Sequence, residues 1–104
     1  MNQQILEHIK SVGRKVLPIG GQMWLYGSQA RGDAGPDSDW DLLILIDKDV
    51  LRGFDYDTIT YPLTTLGWDI GAKINPILYT KKEWESYHFT PFYKNVQTDK
   101  IELI

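Results

Sequence analysis

Residues 25–46 read LYGSQARGDAGPDSDWDLLILI, and the fold depends on this stretch. From Trp40 to Ile46 it is almost wholly apolar, which predicts a buried central β-strand. The preceding segment, Gln22 to Tyr26, predicts a short strand that stops at Gly27. The residues from 32 to 39 are all loop formers. The stretch therefore predicts two strands separated by a tight turn and a polar loop.

The flanking sequence supplies the rest of an α/β domain. Ile5 to Val16 has apolar residues at steps of three and four, the pattern of a one-sided helix. Val50 to Leu66 predicts a helix or a broken helix. Asp69 to Tyr79 alternates as a half-exposed strand does, and Pro76 within it indicates an edge or a bulge. Asp99 to Ile104 predicts a last strand, so we expect a small mixed sheet with helices packed mainly on one face.

Composition limits the classes of function. The 104 residues are 42% hydrophobic and 24% charged, which predicts one globular domain spanning residues 1–104. The absence of cysteine excludes disulfides, a thiolate nucleophile and a thiolate zinc site. A net charge of -3 argues against bulk nucleic-acid binding. The chain shows neither a signal-peptide core nor a run of roughly 20 apolar residues, so we expect a cytoplasmic protein without a membrane segment.

Gly27 and Ser28 predict a phosphate-binding turn. Glycine lets the backbone turn sharply and lets a phosphate approach closely. Ser28 adds a hydroxyl, and the amides that follow it point at an anion if Gln29 to Arg31 begin a helix. Arg31 is a lesser candidate for a phosphate contact.

Asp39 and Asp41 predict a magnesium site. Residues two apart on a strand project from the same face, with about 6 to 7 Å between their backbone origins. Mg²⁺ prefers one or two carboxylates and fills its other positions with water and substrate phosphate. A second ion about 3.5 to 4 Å away can share the same carboxylates. The pair therefore favours phosphoryl or nucleotidyl transfer, in which metal charge offsets the charge of the triphosphate.

Gly27-Ser28, followed after ten residues by Asp39-x-Asp41, resembles the signature of the DNA-polymerase-beta-like nucleotidyltransferase superfamily. Within it the chain resembles the minimal nucleotidyltransferases, small domains that are paired with HEPN-domain proteins in toxin–antitoxin systems. The resemblance is strongest over residues 22–47. It implies the polymerase-beta-like fold, nucleotide phosphates held by Gly27 and Ser28, and two Mg²⁺ ions held by Asp39 and Asp41, with Ser28 and both aspartates as catalytic residues.

The resemblance also implies a reaction. A nucleoside monophosphate, AMP from ATP, is transferred to an acceptor hydroxyl on a HEPN-type toxin, which the modification silences, and pyrophosphate leaves. The alternative is a catalytically weak or inactive nucleotide-binding module that neutralises its partner by contact. A nucleotidyltransferase that modifies small molecules such as aminoglycosides fits less well, because 104 residues supply little wall for the drug. The sequence contains no motif that identifies the base.

A third carboxylate, which the family usually places on a later strand, has no clear counterpart. The alternation of residues 69–79 offers Asp69 near the start of the strand and Lys73 or Asn75 deeper in it. Asparagine can orient a hydroxyl but cannot accept its proton. A lysine beside the metal carboxylates would compete with metal. The alternative of a binding module therefore stays open.

Aromatic residues are dense near the C-terminus, after a capping box at Thr80 and Glu83. They close the core or form a patch for a partner or a second copy of the chain. Trp24, Trp40 and Trp68 are predicted to be core residues. The members of the C-terminal group are Trp84, Tyr87, Phe89, Phe92 and Tyr93.

Overall fold

A computed structural model describes residues 1–104 as a mixed α/β fold. The predicted fold class is confirmed, and no helix is long and apolar enough to cross a membrane. The helices are α1 (Gln3–Val16), α2 (Gly27–Arg31), α3 (Gly53–Asp55), α4 (Tyr61–Ile70), α5 (Lys81–Ser86) and α6 (Pro91–Asp99), and the strands are β1 (Gln22–Tyr26), β2 (Trp40–Ile46), β3 (Ile74–Thr80) and β4 (Ile101–Glu102).

The strands form one sheet of order β3-β2-β1-β4. β1 pairs antiparallel with β2 and β4, whereas β2 and β3 are parallel. β2 is therefore an inner strand, as its apolar run predicts. β3 lies at an edge, where Pro76 does not interrupt a second ladder. The register sets Asp41 opposite Tyr26 on one side and Asn75 on the other.

The two faces of β2 enter different cores because side chains alternate along a strand. Leu42, Ile44 and Ile46 join the larger core with Ile9 of α1 and Leu63 of α4. The opposite face carries a smaller cluster against α5 and α6, made of Trp24, Leu43, Leu45, Trp84 and Val96. Helices thus cover both faces, where the sequence predicted mainly one. Asp41, at an odd position, lies on the face of the smaller cluster.

The segment after β2 is helical, as its sequence predicted, and the helix continues to Ile70. α3 continues through a π-helical turn, Tyr56–Thr60, directly into α4. A proline in a helix interior removes one hydrogen bond and clashes with the carbonyl of the previous turn. Pro62 lies inside this continuous helix directly after the π turn, where the regular pattern of α-helical hydrogen bonds is already interrupted. The helix ends at Gly71, whose φ of 70° is left-handed.

Two expectations for this region are wrong. The strand predicted from Asp69 begins at Ile74, and Asp69 lies in α4. Trp68, predicted to be a core residue, is 70% exposed and packs edge to face against Tyr61 on the surface. Alternating apolar residues before β3 belong instead to the last turn of a helix and its cap. Trp24 and Trp40 are buried as predicted.

The C-terminal aromatic group is divided between core and surface. The capping box forms, since Thr80 accepts from the Glu83 amide and the Glu83 carboxylate accepts from the Thr80 amide. Trp84 is 1% exposed and stacks with Tyr93 at 4.7 Å. Phe89 is 69% exposed. Closing the core therefore accounts for part of this group only.

Candidate functional site

The acidic pair stands where the loop 32–39 enters β2. Asp39 is exposed and precedes the strand, whereas Asp41 is half-buried within it. Asp41 shares its face with Leu43 and Leu45, which α5 and α6 cover. Asp39 directly precedes β2, two residues before Asp41, and its charge acts on the Asp41 carboxyl, so the two carboxylates lie close together where the strand begins. The site therefore lies at the end of the sheet where β2 begins, and this open edge is formed by the ends of strands rather than by an edge strand.

Gly27 brings the β1 turn against Asp41. Tyr26 is the cross-strand partner of Asp41, so the next residue lies directly beside that carboxylate. A Cβ atom built on Gly27 would be 2.5 Å from Oδ2 of Asp41. The φ of Gly27 is +74°, which L side chains rarely adopt. Glycine is thus required at this position for its conformation and for the space left to the carboxylate.

Gly27–Arg31 form the short helix α2, so the helix on which the predicted phosphate-binding turn depends is present. The first amides of a helix have no acceptor within it. Ser28 follows the turn at Gly27 and is half-buried. The start of α2 thus follows directly from Gly27, the residue that lies against the carboxylate of Asp41.

Arg31 is engaged by other residues. Its guanidinium donates to Asp33 at 3.2 Å and to Asp99 of α6 at 2.9 Å. The charge of Arg31 still acts on the site: the pKa of Asp41 is raised overall, mainly by burial, and Arg31 slightly opposes this rise. A phosphate contact by Arg31 stays a prediction, and such a contact would compete with these ion pairs.

Gln29 is a residue that the sequence did not indicate. It is 8% exposed, and its Nε2 atom donates to the backbone oxygen of Ser38 at 3.3 Å. Ser38 in turn accepts from the Gly35 amide through Oγ at 2.8 Å. These bonds hold the loop that leads into Asp39. α2 is too short for periodicity to show which of its side chains points inward.

On the other side of Asp41 lies Asn75, its cross-strand partner on β3. The Nδ2 atom of Asn75 donates to Oδ1 of Asp41 at 3.4 Å. Lys73 precedes the strand, is exposed, and accepts from the Trp40 amide at 2.7 Å through its backbone oxygen. No group of three or more His, Cys, Asp or Glu residues is close enough to hold a metal ion. Asn75 is therefore the side chain next to Asp41 where a third carboxylate was sought, and Asp69 is on a helix.

Burial and charge shift the pKa values of two side chains at this site, Asp41 and Tyr26. Burial raises the pKa of Asp41 above its ordinary value, and repulsion from Asp39 adds to the effect, while the hydrogen bond from Asn75 opposes it. Burial and the charge of Asp41 also raise the pKa of Tyr26 to about 12. Burial and repulsion from Asp39 thus outweigh the stabilising neighbours of the Asp41 carboxylate, and perturbed carboxyl groups of this kind cluster at functional sites.

The donor set fits Mg²⁺. Two hard carboxylate oxygens at an open edge, beside a turn with a hydroxyl and backbone amides, leave room for water and phosphate ligands. A bound cation would offset both the burial of Asp41 and its repulsion from Asp39. Asp39 and Asp41 are the residues that would hold it, and Gly27 and Ser28 would lie next to the phosphates.

The larger cavities lie elsewhere. One, of about 380 Å³, runs between the start of α1 and the loop 32–39, and is lined by Ile5, Gln29 and Trp40 among others. A second, of about 100 Å³, continues it toward Lys73. Neither is lined by the aspartate pair. The pair therefore faces solvent rather than an enclosed pocket.

Nearly the whole chain matches one known protein family. The profile of the family described as "Nucleotidyltransferase domain" matches residues 5–102. No curated protein sequence matches the chain significantly.

Similar folds occur among solved structures. One is a chain of a toxin–antitoxin crystal structure with AMP-PNP, with a TM-score of 0.66 and 18% identity over 100% of this chain and 73% of that chain. Another, with a TM-score of 0.60 and 17% identity over 100% of this chain and 72% of that chain, comes from a tri-AMPylated Shewanella oneidensis HEPN toxin in complex with its MNT antitoxin. At these identities the likeness shows a shared fold.

Proposed function

Because the chain belongs to the nucleotidyltransferase domain family, we propose that it transfers a nucleoside monophosphate, AMP from ATP, to a hydroxyl group of a HEPN-type protein partner in the cytoplasm. The observation that carries the proposal is the contact between the turn and the acidic pair, in which a Cβ on Gly27 would strike Asp41. This contact joins a phosphate-binding turn to a pair of metal ligands.

In the proposed reaction the acceptor oxygen bonds to the α-phosphorus, and the bond from that phosphorus to the bridging oxygen breaks. Pyrophosphate leaves with the bonding electrons, and the hydroxyl proton passes to water or to pyrophosphate. Gly27 and Ser28 hold the phosphates, and Asp39 and Asp41 hold Mg²⁺. When bound, Mg²⁺ neutralises charge on the triphosphate and the leaving group.

A macromolecular acceptor suits the position of the pair. The aspartates lie on an open edge and line neither cavity, so a hydroxyl on a folded surface can approach them. Two further observations support a HEPN-type acceptor and an antitoxin role: the fold is shared with a chain of a complex that contains an AMPylated HEPN toxin, and the family is that of nucleotidyltransferases.

The second candidate is a module that binds nucleotide weakly, or not at all, and neutralises its partner by contact alone. Asn75 favours it, because this amide lies 3.4 Å from Asp41 and cannot take a proton from the acceptor. The two functions make opposite predictions for a variant that keeps the surface but loses a metal ligand.

Labelling separates the two candidates. The chain and a candidate HEPN partner are incubated with Mg²⁺ and ATP labelled at the α-phosphate. We expect stable label on the partner, which Asp41→Asn abolishes and which the matched variant Asp57→Asn, on the exposed π turn, leaves unchanged. If Asp41→Asn neutralises the partner fully and no label is transferred by either protein, transfer is refuted and neutralisation by contact is supported.

A further inference from the structure

The two oxygen atoms of Asp41 face different neighbours. Oδ2 lies against the turn, where a Cβ on Gly27 would be 2.5 Å away. Oδ1 lies toward β3, where Asn75 donates to it at 3.4 Å. The parallel register places these two residues level with each other, so the contact follows from the sheet itself. The carboxylate therefore has a turn side and a β3 side.

The acidic pair has the ligands for one cation. Asp39 and Asp41 supply two carboxylates where the loop 32–39 enters β2, and the open edge leaves room for water and phosphate oxygens, which would complete an octahedral Mg²⁺ site. Gly27 contributes no side chain that would block the approach. One ion can thus be bound without any ligand from β3.

The β3 side lacks an anionic ligand for a second ion. In two-metal sites, ions roughly 3.5 to 4 Å apart share carboxylates, and hard cations favour charged oxygen donors. Here Asn75 offers a neutral amide whose nitrogen faces Asp41. Lys73, at the same end of β3, adds positive charge to this end of the strand, and no third acidic residue joins the pair.

We propose that the site binds a single divalent cation, on the turn side of Asp41, and that Asn75 sets this number by replacing an anionic ligand on the β3 side. The inference rests on the proposed function, because it assumes that a metal–nucleotide complex binds here. The family resemblance implies two ions at this site, and the inference reduces that number to one. It also means that no carboxylate on β3 takes the proton of the acceptor hydroxyl.

Counting bound ions tests the inference without an activity assay. The folded chain is dialysed against Mn²⁺ and α,β-methylene-ATP, in which the bond broken by transfer cannot be cleaved, and bound Mn²⁺ and nucleotide per chain are measured by electron paramagnetic resonance and absorbance. We expect one Mn²⁺ and one nucleotide for the wild-type chain. We expect two Mn²⁺ ions and one nucleotide for Asn75→Asp.

Asn95→Asp is the matched control, because it adds the same charge on the exposed surface of α6. It should still bind one ion. Two ions on the wild-type chain, or only one on a folded Asn75→Asp variant, would overturn the inference while leaving nucleotide binding intact. Absence of both Mn²⁺ and nucleotide from the wild-type chain would overturn the proposed function together with the inference. If Asn75→Asp does not fold, the wild-type count decides.

Discussion

Replacing Gly27 by alanine tests whether the turn and the acidic pair act as one unit. Gly27 has a φ of +74°, and its missing Cβ would lie 2.5 Å from Oδ2 of Asp41 and 3.4 Å from Cγ. The substitution therefore has two costs. A left-handed conformation costs an L-residue about 1–2 kcal/mol, and the carboxylate of Asp41 has to rotate away from its position.

Gly32→Ala separates these costs. Gly32 also has a positive φ, +85°, but a Cβ built there meets nothing within 4 Å. Each variant should lose about 1–2 kcal/mol of unfolding free energy through the conformational cost that both share, and any further loss in Gly27→Ala comes from displacing Asp41. At about 4–8 °C per kcal/mol for a chain of this size, Tm should fall by about 5–15 °C in each. Only Gly27→Ala should also displace a proposed metal ligand.

The assay is titration of each folded variant with Mn²⁺ and α,β-methylene-ATP, with Tm measured on the same samples. We expect Gly27→Ala to weaken Mn²⁺ binding by at least about tenfold, the loss that follows removal of even an outer-shell partner of a metal ligand. Gly32→Ala should bind as the wild-type chain does. Equal affinities in the two variants would refute the argument, because the steric contact with Asp41 would then have no effect on the site.

Three further perturbations test other parts of the structure. Burial holds the pKa of Asp41 above its ordinary value, so ionising it costs stability; this cost begins above the ordinary aspartate pKa of about 4 and is complete once the pH exceeds the folded pKa. Without divalent ions, Asp41→Asn should therefore raise Tm at pH 7, a gain that shrinks as the pH falls through the folded pKa and is gone below about pH 4; no gain at pH 7 would contradict the pKa shift. Gly67→Ala places a Cβ 2.5 Å from a backbone oxygen in the turn after α4, so thermal unfolding should show a loss of about 1–3 kcal/mol of stability. Gly53→Ala is the control, because a Cβ there meets nothing within 4 Å, and it should not lose this stability. Equal losses in the two variants would argue against the packing described. Asp55 is 5% exposed and accepts a hydrogen bond from Lys48 at 2.9 Å, and this bond lowers the pKa of the Asp55 carboxyl. The ion pair therefore stabilises the fold above the ordinary aspartate pKa, and this stabilisation is lost as the pH falls through the lowered pKa. Asp55→Asn should lower Tm at pH 7 and make the fall of Tm in acid less steep; an unchanged fall of Tm in acid would exclude this ion pair as its cause.

Local pattern was sufficient where one strand or one turn decides the outcome. The apolar run of β2 indicated an inner strand, and the glycine at 27 indicated a tight turn. The spacing of Asp39 and Asp41 predicted two carboxylates on one face; in the structure Asp41 lies within β2 and Asp39 directly precedes it. These inferences hold because strand alternation and the conformational freedom of glycine are properties of neighbouring residues. Trp68 shows the limit of such reasoning, since an aromatic residue on a helix carries no sign of which side meets the core.

Only tertiary structure decided what stands beside the acidic pair. Asn75 adjoins Asp41 because the packing of two cores sets the register between β2 and β3, strands that are separated by two helices and a π turn. Arg31 is paired with Asp99, 68 positions away along the chain. Such contacts depend on how distant segments pack, and a shift of one residue in register would turn every side chain of a strand to the other face. Sequence periodicity is a property within each segment and contains no information about the register between segments, so the neighbours of Asp41 became known only from the folded sheet.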